Sequence, residues 1–129
     1  MIDLFIKKIQ YKATYVKLKH YVKKMRRTTH AFYRILLPIS RYDFSIGRNW
    51  ALARVSNEYN IPIIVRNKSK LFELHGFCGA RNVVLVGPTE SYQQPKEELS
   101  MVLIEEGFTP HGLAKYVLPY CPKAVGYLK

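Results

Sequence analysis

Continuous apolar runs alternate with amphipathic segments along this chain, and the alternation predicts strands joined by helices. The runs are uniformly apolar, which is typical of parallel strands covered on both faces. We therefore expect an α/β fold with a parallel, doubly wound sheet of about five strands. The predicted strands cover residues 35–39, 61–65, 82–86, 99–104 and 124–128.

Helices are predicted between these strands. Asn67 and Thr109 are suitable N-cap residues for two of them. In the helix that follows Asn67, we expect Leu71, Phe72 and Leu74 to lie on the buried side. The polar residues 89–98 are expected to form a loop. The predicted helices cover residues 50–59, 68–76 and 110–118.

The N-terminal segment, residues 2–27, predicts one long amphipathic helix without Gly or Pro. An apolar stripe at helical spacing is compatible with docking on the protein's own sheet and with docking on a partner protein. We expect residues 1–30 to form a basic N-terminal helix and residues 31–129 to form the α/β domain. The stripe consists of Tyr11, Tyr15, Leu18, Val22 and Met25.

The positive charge of the protein is concentrated in this helix. The formal net charge is +12, and ten of the 21 Lys and Arg residues lie within the first 34 positions, against Asp3 alone. Such an asymmetry predicts a polyanionic partner, either nucleic acid or a nucleoprotein complex. A membrane surface is an alternative for a basic amphipathic helix. The expected binding residues are Lys7, Lys8, Lys12, Lys19, Lys23, Lys24, Arg26 and Arg27.

Composition excludes several other classes of protein. A chain of 129 residues that is 48% hydrophobic is large enough for one domain and too small for two. Cys78 and Cys121 lie far apart without metal-ligand spacing, so we expect two thiols and neither a disulfide framework nor a zinc site. No segment approaches the roughly 20 apolar residues of a transmembrane helix. The spacing of Ser, His, Asp and Cys indicates no catalytic arrangement.

Two polar clusters come directly after predicted strands. Residues 45–49 (SIGRN) follow the first strand, and Glu105 and Glu106 follow the fourth. Ligands of doubly wound sheets bind at the carboxyl ends of the strands, and the free N–H groups of a helix start favour a phosphate. The sequence therefore predicts that both clusters face one site.

Residues 35–128 resemble the P-loop nucleoside triphosphatases, in particular small phage-type ones, in the segments SIGRNWALARVSNEYN, IPIIV and MVLIEEG. The resemblance implies that Gly47, Arg48 and Asn49 stand for the motif's glycine, phosphate-binding lysine and magnesium-binding hydroxyl residue. It implies that Glu105 corresponds to the acid that holds magnesium, and Glu106 to the acid that polarises the attacking water.

Departures from the motif predict a degenerate nucleotide site. Tyr42 replaces the first glycine of G-x-x-x-x-G-K-[ST], where the loop must wrap the phosphates closely. Arg48 lacks the compact ammonium of lysine, and Asn49 offers magnesium only a neutral amide oxygen. Together these changes remove much of the electrostatic stabilisation that phosphoryl transfer requires.

We therefore expect a non-enzymatic protein of phage or mobile-element type, without a cofactor, that binds nucleic acid or a nucleoprotein complex through its basic helix. An anti-defence inhibitor such as an anti-CRISPR protein is one form of this hypothesis. The first alternative is an atypical P-loop NTPase that binds ATP or GTP with Mg²⁺. The second is a structural or assembly protein that docks through its N-terminal helix. The expected location is the cytoplasm, which is that of the host cell if the protein is phage-encoded.

Overall fold

The computed structural model describes residues 2–39, 45–86 and 101–128. Within these ranges, helices and strands alternate along the chain. The α-helices are α1 (Ile2–Arg27), α2 (Ser45–Tyr59), α3 (Lys68–Phe72) and α4 (Pro110–Tyr116). Helix α3 continues as a π-helical turn over Glu73–Phe77, and α4 is followed by a 3₁₀ turn over Leu118–Tyr120. The strands are β1 (Tyr33–Pro38), β2 (Ile63–Val65), β3 (Val83–Leu85), β4 (Met101–Ile104) and β5 (Lys123–Leu128).

The five described strands form one sheet in the order β1-β5-β4-β2-β3, and every neighbouring pair is parallel. This confirms the predicted α/β fold with a parallel sheet of five strands. Strand β1, which precedes the predicted phosphate loop, lies at one edge of the sheet and pairs with β5. Strand β4, which precedes Glu105, lies at the centre.

The connections wind in two directions and place helices on both faces of the sheet. The crossovers from β1 to β2 and from β2 to β3 run towards one edge, whereas the crossover from β4 to β5 runs towards the other. Because such crossovers are right-handed, opposite directions put the connecting helices on opposite faces. Accordingly, α2 packs in the same core cluster as α1, whereas Leu113 of α4 belongs to a second cluster.

Alternate side chains of the central strands fill these two core clusters. In β2, Ile63 and Val65 pack on the α1 and α2 side, whereas Ile64 packs on the α4 side. In β4, Leu103 and Ile104 divide in the same way. All five side chains are fully buried, which explains why the strands read as uninterrupted apolar runs.

Gly126 marks the closest approach of β5 to β4. It lies opposite Ile104 in the parallel pair, and a Cβ atom at this position would overlap the backbone N, C and O atoms of Ile104. Only glycine therefore permits this strand spacing.

Helix α1 packs on the protein through the predicted apolar stripe. Leu18, Val22 and Met25 are fully buried, Tyr15 is buried, and Tyr11 packs against the same core cluster from its edge. Within the described residues, the protein's own α2 and sheet thus cover the face that we considered for a partner helix. No helix in the described ranges is long and apolar enough to cross a membrane.

Some predicted boundaries and burial assignments were wrong. Helix α2 begins at Ser45, so Gly47, Arg48 and Asn49 lie in its first turns and not in a loop. One glycine costs a helix only about 1 kcal/mol, which the buried contacts of the residues that follow it can offset. Phe72 is 66% exposed, in contrast to the buried Leu74, because residues two positions apart lie on opposite sides of a helix. Tyr42 and the predicted loop over 89–98 lie outside the described residues.

Candidate functional site

The sheet reverses its direction of winding between β2 and β4, and polar residues collect at the carboxyl ends of these strands. The chain leaves β2 towards β3 on one side and leaves β4 towards β5 on the other. Such a switch point opens a crevice where doubly wound folds bind ligands. Here, Glu105 and Glu106 follow β4, and Lys70 of α3 lies after β2.

Arg48 and Glu106 bring together the two clusters that the sequence predicted to share a site. The Arg48 guanidinium donates a hydrogen bond to the Glu106 carboxylate. The Arg48 side chain is 6% exposed and that of Glu106 is 17% exposed. On its other side, the guanidinium lies 5.9 Å from the ring centroid of Tyr127 in β5. Arg48 is therefore held by a carboxylate and an aromatic ring inside the protein.

Lys70 is the second cation of this site and contacts three carboxylates. Its Nζ atom lies 3.6 Å from Glu73 Oε2, 3.7 Å from Glu105 Oε1 and 3.6 Å from Glu106 Oε1. Because Glu106 also contacts Arg48, the two cations and three carboxylates form one network. We call these five residues the switch-point cluster.

Burial and neighbouring charges shift two pKa values within the switch-point cluster. Glu105 is fully buried, and burial raises the pKa of its carboxyl group, although Lys70 and the Gly107 N–H, at 2.9 Å, act in the opposite direction. Burial alone would lower the pKa of Lys70, but the charges of Glu105, Glu73 and Glu106 outweigh it and the pKa is raised. Lys70 therefore keeps its charge beside the buried Glu105.

Asn49 and Gly47 also have contacts that fix the first turns of α2. The Asn49 side-chain amide donates to Glu73 Oε1 at 2.9 Å, which links α2 to the π-helical turn. A Cβ atom at Gly47 would lie 4.0 Å from the Tyr11 Cα atom. Helix α1 therefore packs directly beside the turn that the sequence assigned to phosphate binding.

The switch-point cluster does not fit a magnesium–nucleotide complex in this arrangement. Arg48, the expected phosphate ligand, is bound to Glu106, and Asn49, the expected magnesium ligand, is bound to Glu73. Lys70 neutralises both carboxylates that would face magnesium. Among the described residues, no group of three or more His, Cys, Asp or Glu side chains could hold a metal ion. A phosphate or a cation would have to break these contacts first.

The surface of α1 opposite its apolar stripe is exposed and basic. Within the described residues, no carboxylate forms an ion pair with the cations of this surface. The side chains of Lys7 and Lys8 lie outside the described part of the structure. We call the exposed cations the basic face; they are Lys12, Lys17, Lys23, Lys24, Arg26 and Arg27.

Lys19, another expected nucleic-acid contact, is turned towards the protein itself. Its Nζ atom lies 3.5 Å from Glu58 Oε2 and donates to the Tyr15 hydroxyl at 3.1 Å. The Tyr15 hydroxyl in turn donates to Glu58 at 2.6 Å, and this hydrogen bond is the main reason that the pKa of Glu58 is lowered. Lys19 thus connects α1 to α2 and is engaged by a carboxylate, unlike the basic face.

The last turns of α1 line a cleft of about 310 Å³ together with α2. Its lining residues are Lys23, Arg26 and Arg27 of α1 and Tyr59 of α2. The Arg26 guanidinium lies 4.9 Å from the Tyr59 ring centroid, which orients it by a cation–π interaction. Three cations therefore converge at one place on the basic face.

Three residues of these two regions were missing from the predicted sites. Lys17 lies on the basic face, and Lys70 and Glu73 belong to the switch-point cluster. The position of Lys70 one turn after Asn67, at the end of β2, was a usable signal, because the carboxyl ends of parallel strands share one edge. Its contact with Glu105 additionally required knowing that β2 and β4 are neighbours.

Comparison of the chain with protein-family models, curated proteins and solved structures gave no significant match.

Proposed function

We propose that this protein binds nucleic acid through the basic face of α1, and that the switch-point cluster stabilises the fold and does not turn over nucleotides. The single observation that carries this proposal is the division of α1 into two faces. Leu18, Val22 and Met25 anchor one face in the core, while the rest of the helix surface presents exposed cations.

The arrangement of charge supports a polyanionic partner. The acidic residues whose side chains the structure describes, Glu58, Glu73, Glu105 and Glu106, each lie within 4.0 Å of a cation. Among these described side chains, no carboxylate neutralises the basic face, which supports a positive potential at this surface. A phosphodiester backbone complements such a row, because each phosphate contact releases condensed counterions.

Helical geometry and packing set the relative positions of several of these cations. Lys23 and Arg27 lie four residues apart, and hence on the same side of the helix. Arg26 is oriented by the Tyr59 ring. Basic residues in the last helical turn also interact favourably with the helix dipole, but this effect does not account for Lys12 and Lys17, which lie further towards the N-terminus.

Binding of labelled oligonucleotides at several salt concentrations tests the proposal. With about five phosphate contacts, affinity for a single strand should fall about 100-fold between 50 and 200 mM salt. The double variant Lys23→Gln/Arg27→Gln should lower the slope of log Kd against log salt by about 1.4. Arg26 is retained in this variant so that its contact with Tyr59 is preserved.

The matched control is Lys68→Gln/Lys115→Gln, which removes two exposed cations outside α1. Both double variants lower the net charge equally, so only the position of the charge differs. If both double variants weakened oligonucleotide binding equally, net charge and not the basic face would explain the affinity. Salt-independent binding would contradict the electrostatic account. Binding to vesicles that contain an anionic phospholipid, without binding to oligonucleotides, would favour the membrane alternative.

A further inference from the structure

Two aromatic side chains lie exposed and adjacent where α2 meets the π-helical turn. Trp50 is 41% exposed and Phe77 is 61% exposed. Their ring centroids are 6.1 Å apart, and their planes are inclined by 60°. Large aromatic side chains usually gain stability by burial, so an exposed pair of this kind indicates a binding surface.

Trp50 also lines a cleft of about 360 Å³ between α1 and α2. This volume is at the lower end of the range for small-molecule sites. Tyr11 of α1 also lines it, as do Arg54 of α2 and Arg81, which precedes β3. The cleft therefore reaches α1, the helix that carries the basic face.

The two arginines, Arg54 and Arg81, are held in place by their neighbours. The Arg54 guanidinium lies 4.1 Å from the Tyr15 ring centroid, and its Nε atom lies 3.1 Å from Glu58 Oε1. The backbone N–H of Arg81 donates to Asn57 Oδ1 at 3.1 Å, and its guanidinium donates to the Asn57 carbonyl at 3.4 Å. Two cations against one carboxylate leave the cleft with a net positive charge.

We propose that this cleft binds an unpaired base of single-stranded nucleic acid, which stacks on Trp50 beside Phe77 while its phosphate lies near Arg54 and Arg81. This inference rests on the proposed function and adds the strand type to it. Stacking on an aromatic ring tolerates any base, and arginines beside the ring complement the phosphate. Bases in a duplex are already stacked and cannot offer a face to Trp50.

Trp50 reports on this site directly, because it is the one tryptophan of the chain. Addition of a 15-residue oligodeoxythymidine should quench its fluorescence. An abasic oligonucleotide of equal length keeps the phosphates without the bases, and it should bind the basic face without equivalent quenching. Equal quenching by both oligonucleotides would overturn the stacking proposal.

Substitution of the aromatic residues gives an independent test by fluorescence anisotropy of a labelled oligodeoxythymidine. Phe77→Ala and Trp50→Ala should each weaken binding about tenfold and leave duplex binding unchanged. Phe72→Ala is the matched control, because Phe72 is 66% exposed, whereas the described ring partner of Trp50 is Phe77. Circular dichroism would confirm that each variant is folded.

The outcomes separate this inference from the proposed function. Salt-dependent binding that Lys23→Gln/Arg27→Gln weakens but the two aromatic substitutions leave unchanged would overturn the stacking site and keep the basic face. Absence of binding to any oligonucleotide would overturn both. A Trp50 emission that changes with protein concentration in the absence of oligonucleotide would instead assign the aromatic pair to contact between copies of the chain.

Discussion

The guanidinium of Arg48 donates a hydrogen bond to the carboxylate of Glu106, although the two residues are 58 positions apart in the sequence. This contact joins the first turns of α2 to the end of β4, and thus connects an element that follows the edge strand to the centre of the sheet. Arg48, which matches the phosphate-binding lysine in the sequence resemblance, and Glu106, which matches the water-polarising acid, therefore neutralise each other's charge. Both side chains are largely buried, so we expect the pair to affect stability strongly.

Replacement of Arg48 by methionine should destabilise the protein by about 3 kcal/mol. The substitution keeps much of the side-chain volume but leaves Glu106 with Lys70 as its remaining cation among the described residues. Urea unfolding followed by circular dichroism measures this loss as a lower transition midpoint at constant slope. A loss below about 0.5 kcal/mol, typical of surface positions, would show that the pair contributes little.

The double variant Arg48→Met/Glu106→Met provides the control for this prediction. Removing both partners leaves no unbalanced charge at this pair, so the double variant should be more stable than the sum of the two single effects implies. Additive losses would contradict the direct coupling of Arg48 and Glu106.

Substitution of the buried Glu105 by glutamine should change the dependence of stability on pH. Burial raises the pKa of this carboxyl group, so the folded state binds the proton more tightly than the unfolded state does. Its contribution to stability is therefore complete below the unfolded pKa and is lost as pH rises through the folded pKa. Because glutamine does not ionise, Glu105→Gln should gain stability relative to wild type as pH rises above about 4, as measured by thermal unfolding.

Glu58→Gln provides a control of opposite sign. The hydrogen bond from Tyr15 holds the pKa of Glu58 below its ordinary value. The stability that Glu58 contributes is therefore present above its unfolded pKa and is lost as pH falls through the folded pKa. Relative to wild type, Glu58→Gln should lose stability as pH rises towards about 4, because folded Glu58 ionises below the unfolded pKa. If the stability of both variants relative to wild type changed in the same direction with rising pH, the opposite pKa shifts of the two carboxyl groups would be contradicted.

Local sequence signals were sufficient for the type of most elements and for two helix starts. Asn67 accepts a hydrogen bond from the Lys70 N–H at 2.9 Å, and Thr109 accepts one from Gly112 at 3.1 Å, as their N-cap positions predicted. These interactions extend over three residues and depend on side chains close in sequence. The apolar runs of the strands are also short local patterns, and they predicted burial on both faces of the sheet.

Strand order and the partners of the switch-point cluster could not be read from the same signals. The contact of Lys70 with Glu105 requires β2 to lie beside β4, and no short pattern specifies that neighbour. The sequence resemblance indicated Arg48 and Glu106 individually but not that they bind each other. Lys19 was assigned to an exposed face from composition, whereas its position next to Tyr15 and Glu58 follows from the packing of α1 on α2.

The thiol of Cys78 should react slowly with thiol reagents in the folded protein. Burial raises its pKa to about 11, whereas an unperturbed cysteine has a pKa of about 8.5. At about pH 8, the thiolate fraction of Cys78 is consequently about 100-fold smaller than that of an unperturbed cysteine. A Cys121→Ala variant isolates the Cys78 signal, and reaction with a chromogenic disulfide reagent measures its rate with and without urea. A native rate equal to that in urea would contradict the burial of Cys78.

Truncation of Leu18 should show whether α1 contributes to the stability of the α/β unit. Leu18 is fully buried, whereas Val16 on the same helix is 63% exposed. Leu18→Ala should cost about 3 kcal/mol because it leaves a cavity between α1 and the sheet, whereas Val16→Ala should change stability by less than about 0.5 kcal/mol. In thermal unfolding, Leu18→Ala should lower Tm by about 10 °C and keep a single transition. Separate transitions for α1 and the sheet, or equal effects of both substitutions, would mean that the basic face is carried by a helix that does not stabilise the rest of the protein.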